Sequence, residues 1–399
     1  MRGIISIKRF GTFAAALSFM LFATVPSALA AVSITEYPAP TSGANLYGIT
    51  KGPDGNVWFT EEGKDKVGKI TPNGTITEYG SGITANGGPA GITTGPDGNL
   101  WFTEGSGVNG GRIGRITTGG TVTEFSTGIT ALDLSDITSG PDGNLWFTEG
   151  AGNKVGRITT GGTVTEFSTG ISAVAFPSYI TTGPDGNLWF TEEFGPGGTG
   201  NGGIGRITPT GTVTEFPIST SGSSPAGIAL GPDGNLWFTE EDGDKIGRIT
   251  PSGTITEFPI AANSTPEDIV AGPDGNLWFV EADGNKIGVM STSGTLLNEY
   301  AVPTAASSPD SITVGADNNI WFNEEVGNNI GKLIGFMTSN SGSTTSGSAG
   351  SSANTPTAPD TGFGVPNQNS TFTLIVMALA VPTLVGLARS MRKSALSRQ

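Results

Sequence analysis

From Ala31 to Phe336 the apolar residues come in short runs, β-branched or aromatic, broken every few positions by Gly, Pro, Asn or Thr. Such runs, alternating with polar residues and bounded by turn formers, predict strands and hairpins throughout and no helix before Thr371. One run recurs seven times. Every tryptophan belongs to a Trp-Phe-x-Glu tetrad, at Trp58, Trp101, Trp146, Trp189, Trp237, Trp278 and Trp321, with spacings of 43, 45, 43, 48, 41 and 43 residues. Repeats of that length match a four-stranded propeller blade and exceed leucine-rich or ankyrin units.

Each unit predicts four strands. The first resembles Gly91-Ile92-Thr93-Thr94, followed by a Gly-Pro-Asp-Gly-Asn turn such as Gly95 to Asn99. Pro presets φ at the first corner of that turn, and Gly or Asn supplies the positive φ. The second strand carries Leu-Trp-Phe-Thr-Glu, the third Ile-Gly-Arg-Ile (Ile246 to Ile249) and the fourth Thr-Ile-Thr-Glu-Phe. The fourth-strand motif is out of phase: its first copy, Ser33 to Tyr37, precedes everything else, and none follows the last third strand, Ile330 to Leu333. The expected fold is therefore all-β, a seven-bladed β-propeller. Its N-terminal strand joins the last three strands in a 3+1 blade and so removes the open edges.

The two ends read differently. Arg2, Lys8 and Arg9, the apolar run from Phe10 to Val25 and Ala28-Leu29-Ala30 have the form of a signal peptide over residues 1–30. The propeller is expected over 31–336. Residues 337–370 form a Ser/Thr/Gly-rich linker ending in Ala358-Pro359-Asp360-Thr361-Gly362. Thr371 to Ala388 is an uncharged apolar stretch of 18 residues, long enough for a transmembrane helix, and the basic tail 389–399 would lie in the cytoplasm. The order of pentapeptide, apolar helix and basic tail is similar to an LPxTG-type sortase signal, with Ala358 in place of Leu. The expected location is extracellular, anchored to the cell membrane or the cell wall.

There is no cysteine, so packing alone must hold the fold. Between the ends stand 34 acidic and 13 basic residues, a charge of −21, which disfavours nucleic acid as a partner. A monomer is expected.

The unit GPDGNLWFTE (Gly95 to Glu104) and the third-strand unit KIGRIT (Lys245 to Thr250) closely resemble the repeats of the virginiamycin B lyase, or streptogramin lyase, family. The resemblance spans Ala31 to Gly335. It implies a propeller that opens a cyclic ester antibiotic by elimination without water. It also implies a His in a Pro-His-Gly-Ile-like setting as general base, and carboxylates two residues before and fourteen after it that help hold magnesium.

The chain contains no histidine. The matching positions are Tyr47, Ala90, Ser135, Ser178, Ala226, Glu267 and Asp310. Fourteen residues on, each blade keeps a Glu: Glu61, Glu104, Glu149, Glu192, Glu240, Glu281 and Glu324. The carboxylate two residues before is missing in all seven, Thr265 and Ser308 holding that place in the last two blades. Glu267 or Asp310 is a candidate replacement base if its pKa is raised by a neighbouring carboxylate. Glu281 and Glu324 are candidate ligands for Mg or Ca.

The sevenfold Glu suggests a structural role, accepting backbone N–H groups near the channel. The Trp-Phe pairs suggest blade-to-blade packing. The third-strand cations, Lys69, Arg115, Arg157, Arg206, Arg248 and Lys332, are expected on a solvated face, pairing with fourth-strand Glu such as Glu124 or Glu257. Function is sought where the repeat is broken. At the first-strand entrances, Leu46 and Tyr47 of blade one, Asp133 and Asp136 of blade three, Phe176 and Tyr179 of blade four, and Glu267, Asp268 and Asp310 of blades six and seven would form a lopsided channel mouth, aromatic on one side and acidic on the other, for a small molecule, peptide or glycan. The second-to-third-strand loops of blades two (Gly105 to Gly111) and four (Glu193 to Gly203) are expanded. Three functions follow: a non-catalytic binding module, a Mg-dependent carbon–oxygen lyase with a carboxylate base, or a structural surface-layer component.

Overall fold

A computed structural model describes residues 31–105, 111–196 and 200–336. The expected signal peptide, linker, sorting pentapeptide, apolar helix and basic tail lie outside the described residues, as do the middles of the two expanded loops. Among the described residues no helix is long and apolar enough to cross a membrane.

The described residues form seven antiparallel four-stranded sheets. Blade one is typical: Leu46–Lys51, Val57–Glu61, Lys66–Ile70 and Ile76–Tyr79 pair in chain order from the inside out. Inner strands pack side by side around the ring, the last (Pro309–Val314) against the first. Blade seven closes as the permuted motif requires. Ser33–Pro38 adds to Asn329–Ile334 as its outer strand, with Ile34 opposite Leu333 and Glu36 opposite Gly331. The first and last described strands are thus covered by one another, and no long edge is left bare.

The core lies between blades. Trp58 packs with Val67 of its own blade and with Ile92, Leu100 and Phe102 of the next, and the same arrangement recurs around the ring. All seven Trp are buried, and each indole N–H that the repeat carries is bonded to the Asp of its preceding turn, as Trp146 Nε1 to Asp142 Oδ1 at 3.0 Å. Each Trp also lies flat against the fourth-strand aromatic, Trp146 on Phe167 at 5.3 Å and 15°.

The third-strand cations are not on a free solvated face. Arg157 sits over both Trp146 and Phe167, 5.6 Å from each ring, pairs with Asp142 at 3.6 Å and donates to the Pro209 carbonyl of the next blade at 3.1 Å. The fourth-strand Glu instead pairs with the residue that opens the third strand, as Lys66 with Glu78 and Arg112 with Glu124. The expected pairing of Arg115 or Arg248 with those Glu is corrected. Strand pleat decides it: Arg115 lies opposite Thr123, and Glu124 lies opposite Gly114.

Candidate functional site at the channel mouth

Every inner strand carries a β-bulge near its start. In blade one Leu46 opposes Glu61 and Ile49 opposes Phe59, so Tyr47 and Gly48 drop out of the ladder. The same break frees Ser135 and Asp136, Ser178 and Tyr179, Glu267 and Asp268, and Asp310 and Ser311. A bulge re-aims side chains, and here it turns two residues per blade toward the channel wall.

The variable residue of Trp-Phe-x-Glu holds these bulges. Thr60 Oγ accepts from Gly48 N at 2.8 Å and donates to Ala90 O of the next blade at 2.6 Å. Thr103 and Asn323 make the same stitch, Asn323 reaching Tyr47 O at 2.7 Å. Blade six has Val280 there, which cannot stitch. The Asp268 carboxylate of blade six also crosses to blade seven, accepting from Ser311 Oγ at 2.8 Å and Ile312 N at 3.0 Å. Asp136 crosses from blade three to Ile180 N at 3.0 Å.

These residues enclose a cavity of about 90 Å³, walled by Tyr47, Asp136, Tyr179, Asp268, Ser135, Ser178 and Ser311 together with backbone glycine and isoleucine side chains. Burial pushes the Asp136 carboxyl up to about 7 against the pull of the Ile180 and Ile137 amides, with nearby Asp268 adding to the rise. Burial raises Asp268 likewise, opposed by Ile312, Ser311 and Ile269. The Tyr179 phenol is held well above its usual range by burial, then by Tyr47, Asp310, Glu267 and Asp268. Tyr179 therefore stays a neutral O–H donor facing an acidic wall.

Tyr47 and Tyr179 thus meet in one cavity, and Glu267 and Asp310, both buried, lie within electrostatic reach of Tyr179. Phe176 lies elsewhere. It sits one residue before its strand at φ 59°, edge-on to Phe194 at 5.7 Å, on the shoulder of blades three and four outside the cavity wall. Leu132, Val174 and Phe194 are exposed on that shoulder. Asp136 and Asp268, expected at the mouth from the breaks in the repeat, line the cavity, and the three serines are wall residues that the reading of the repeat did not single out as contacts. A bulge is not visible in a strand pattern, although the departures from Gly at Asp136, Tyr179, Asp268 and Ser311 were its one trace.

The seven tetrad Glu do not accept backbone N–H groups near the channel. They point across the blade to a fourth-strand Glu, and in five blades it is that second Glu which takes a backbone donor, as Glu78 from Thr41 N at 2.9 Å and Thr41 Oγ1 at 2.6 Å. Glu281 meets Glu299 and Ser264, and Glu324 meets Glu36, Asn329 and Ser307. Burial, opposed by the Ser264 hydroxyl and reinforced by Glu299, sets Glu281 up to about 7; burial opposed by Asn329 sets Glu324 at about 7. Magnesium, which the family resemblance implies, takes a near-octahedral oxygen shell with several waters. Among the described residues no group of three or more His, Cys, Asp or Glu converges, and these two carboxyls are closed in without exposure. They do not fit that ion.

The family model described as "Virginiamycin B lyase family" matches residues 197–336. A structure titled "Streptogramin B lyase structure" is 35% identical, with a TM-score of 0.70 over 76% of this chain and 97% of that one. Virginiamycin B lyase from Staphylococcus aureus is 39% identical at a TM-score of 0.69, over 76% of this chain and 99% of that one. A catalytically inactive histidine-to-alanine variant of the S. aureus enzyme, with quinupristin, matches at the same identity, TM-score and shares of the two chains. With the blade motif, the closure and these matches together, the chain belongs to the virginiamycin B lyase family.

Proposed function

We propose that this protein is a non-catalytic binding propeller that holds an amphipathic small molecule or peptide at the bulged mouth of its channel. The observation that carries the reading is the absence of histidine from the whole chain. In the S. aureus relative a histidine-to-alanine change leaves a catalytically inactive protein that is found with quinupristin. Loss of such a group removes the proton acceptor poised near neutral pH, while the walls that contact a ligand remain. A propeller without it is a binder.

The walls here suit such a ligand. The cavity of about 90 Å³ is well below the roughly 300–1,000 Å³ of a drug-sized pocket, so it takes one polar substituent while the body lies across the mouth. Tyr179 and Tyr47 supply phenols, Asp136 and Asp268 supply acceptors, and the exposed shoulder of Leu132, Val174 and Phe194 supplies apolar area.

Titration calorimetry with quinupristin, paired with mass spectrometry of the mixture, tests this. Heat of binding with an intact ring is expected, weakened at least fivefold in Tyr179→Phe. Ring opening that disappears in Glu267→Gln would establish the lyase reading instead, with Glu267 as base. Neither heat nor opening would sink both and leave the surface-layer role. We propose further that residues 1–30 export the chain and that the apolar stretch 371–388 tethers it at the cell surface.

A further inference from the structure

We propose that in blades one to five the second-strand Glu carries a proton in the native protein and donates it in an O–H···O bond to the ionised fourth-strand Glu, so that shared protons hold each blade's entry loop in place and alkali releases it. This lies outside the binding site and does not rest on the binding reading.

The geometry leaves little choice. Glu61, Glu104, Glu149, Glu192 and Glu240 are at most 1% exposed, and among the described residues neither carboxyl oxygen of any of them finds an N–H or hydroxyl donor. An ionised carboxylate is acceptor-only, so buried there it would be wholly unsatisfied. Each meets one other carboxyl: Glu78, Glu124, Glu166, Glu215 and Glu257 in turn. Two carboxylates cannot bond each other. A carboxylic acid and a carboxylate can, through the proton of the first.

The fourth-strand partner is the one placed to be ionised. Glu78 accepts from Thr41 and from Lys66 Nζ at 2.6 Å, and Glu166 from Thr130 and Lys154. Glu215, with Gly203 where the other four of these blades place a cation, accepts from Ser172 N at 2.5 Å and Ser172 Oγ at 2.6 Å. Thr41, Thr84, Thr130, Ser172 and Thr220 all lie on the loops that lead into the inner strands, so the ionised Glu clasps the chain on its way to the channel.

The charged groups facing each acid are few. Glu61 faces Glu78 and Lys66; Glu104 faces Glu124, Arg112 and Asp65; Glu149 faces Glu166 and Lys154; Glu240 faces Glu257 and Lys245. Among the described residues Glu192 faces Glu215 alone. Burial first, then the neighbouring Glu, pushes four of them up to about 8 and Glu192 to about 9. Removing the proton sets two negative charges against each other without solvent, and the clasp on the loop is what gives way.

Proton release on urea unfolding at about pH 6.5, midway between the unfolded and folded titrations, tests the proposal on the full chain. Glutamine keeps the donor but not the titration, so the five-site variant E61Q/E104Q/E149Q/E192Q/E240Q is expected to release about five fewer protons than wild type. Its urea midpoint is expected to lose most of the wild-type decline between pH 5 and 8. Equal proton release, or a midpoint lowered by the same amount at every pH, overturns the proposal. Should the five-site variant not fold, E192Q alone is expected to release about one proton fewer, with the same overturning result. The wild type also reports directly: the infrared carbonyl band of un-ionised glutamic acid is expected at neutral pH and lost on alkaline titration, and its absence at neutral pH overturns the proposal.

Discussion

Asp142 shows how one side chain of the repeat serves several others. Its carboxylate caps its own turn at Asn144 N and Nδ2, takes the Trp146 indole N–H at 3.0 Å and faces Arg157 at 3.6 Å. A buried indole needs an acceptor, and a guanidinium over an aromatic face gains about 0.5–2 kcal/mol. Asp142→Ala is therefore expected to cost about 2–3 kcal/mol, since it orphans the indole N–H and loosens the turn. Denaturant unfolding of the variant checks this, and a loss below half a kcal/mol would mean the stack stands without its acceptor. The conversion of Trp, turn Asp and third-strand Arg into one unit explains why these residues recur together around the ring.

Among the elements, the third strand is the one whose composition has a hidden cause. Its glycine looks like a weakness, because Gly in a strand loses entropy and packs nothing. In blade three a Cβ on Gly156 would stand 2.1 Å from Phe147 Cζ, and the same holds for Gly68 against Phe59 and Gly205 against Phe190. The second-strand Phe lies flat across the glycine, filling the space its side chain would take. Gly156→Ala is expected to destabilise by about 3 kcal/mol through overpacking, with partial recovery when combined with Phe147→Leu. Strand order, turn chemistry and the permuted closing strand were all legible in the repeat, because each depends on neighbours along the chain. The reason for the glycine was not, because Phe147 lies on the adjacent strand and nothing local tells which ring covers which backbone.

At the scale of the whole molecule two carboxylate populations set the response to pH. The turn Asp residues are pushed up by burial but pulled further down by Asn and Trp donors. Asp54, Asp97, Asp142, Asp185 and Asp233 thus lie below 3.8, and Asp317, also paired with Lys332, is near 2. Their folded pKa is depressed, so their contribution is present above 3.8 and lost as pH falls through the lower folded value. The second-strand Glu have the opposite sign. Their folded pKa is raised from 4.5 to about 7 in Glu281 and Glu324 and to about 8 or 9 in the other five, so their contribution is complete below 4.5 and is lost as pH rises through the folded value. The thermal midpoint is expected to peak at about pH 4–5 and to fall steadily toward pH 8. A calorimetric series across that range checks it, and a plateau from pH 5 to 8 would show that the second-strand Glu do not titrate as a class.

The candidate site was legible in part. Reading the positions that match a lost histidine led to Tyr47, Glu267 and Asp310, and the breaks in the repeat led to Tyr179. Phe176 was drawn in by its aromatic ring, although its backbone turns it onto the shoulder of the blade. The breaks in the repeat led to Asp136 and Asp268 as well, but their facing the cavity is set by a bulge that shifts the strand by one position, and a shift of one exchanges the two faces of a strand. Blade number, strand order, closure and family were determined by the sequence alone, because a repeat writes local propensity and turn chemistry seven times over. Tertiary structure decided which carboxyls meet. The second-strand and fourth-strand Glu stand up to 23 residues apart in sequence within one blade, and Glu324 and Glu36 come from opposite ends of the propeller's sequence, so only the folded sheet sets them face to face out of water.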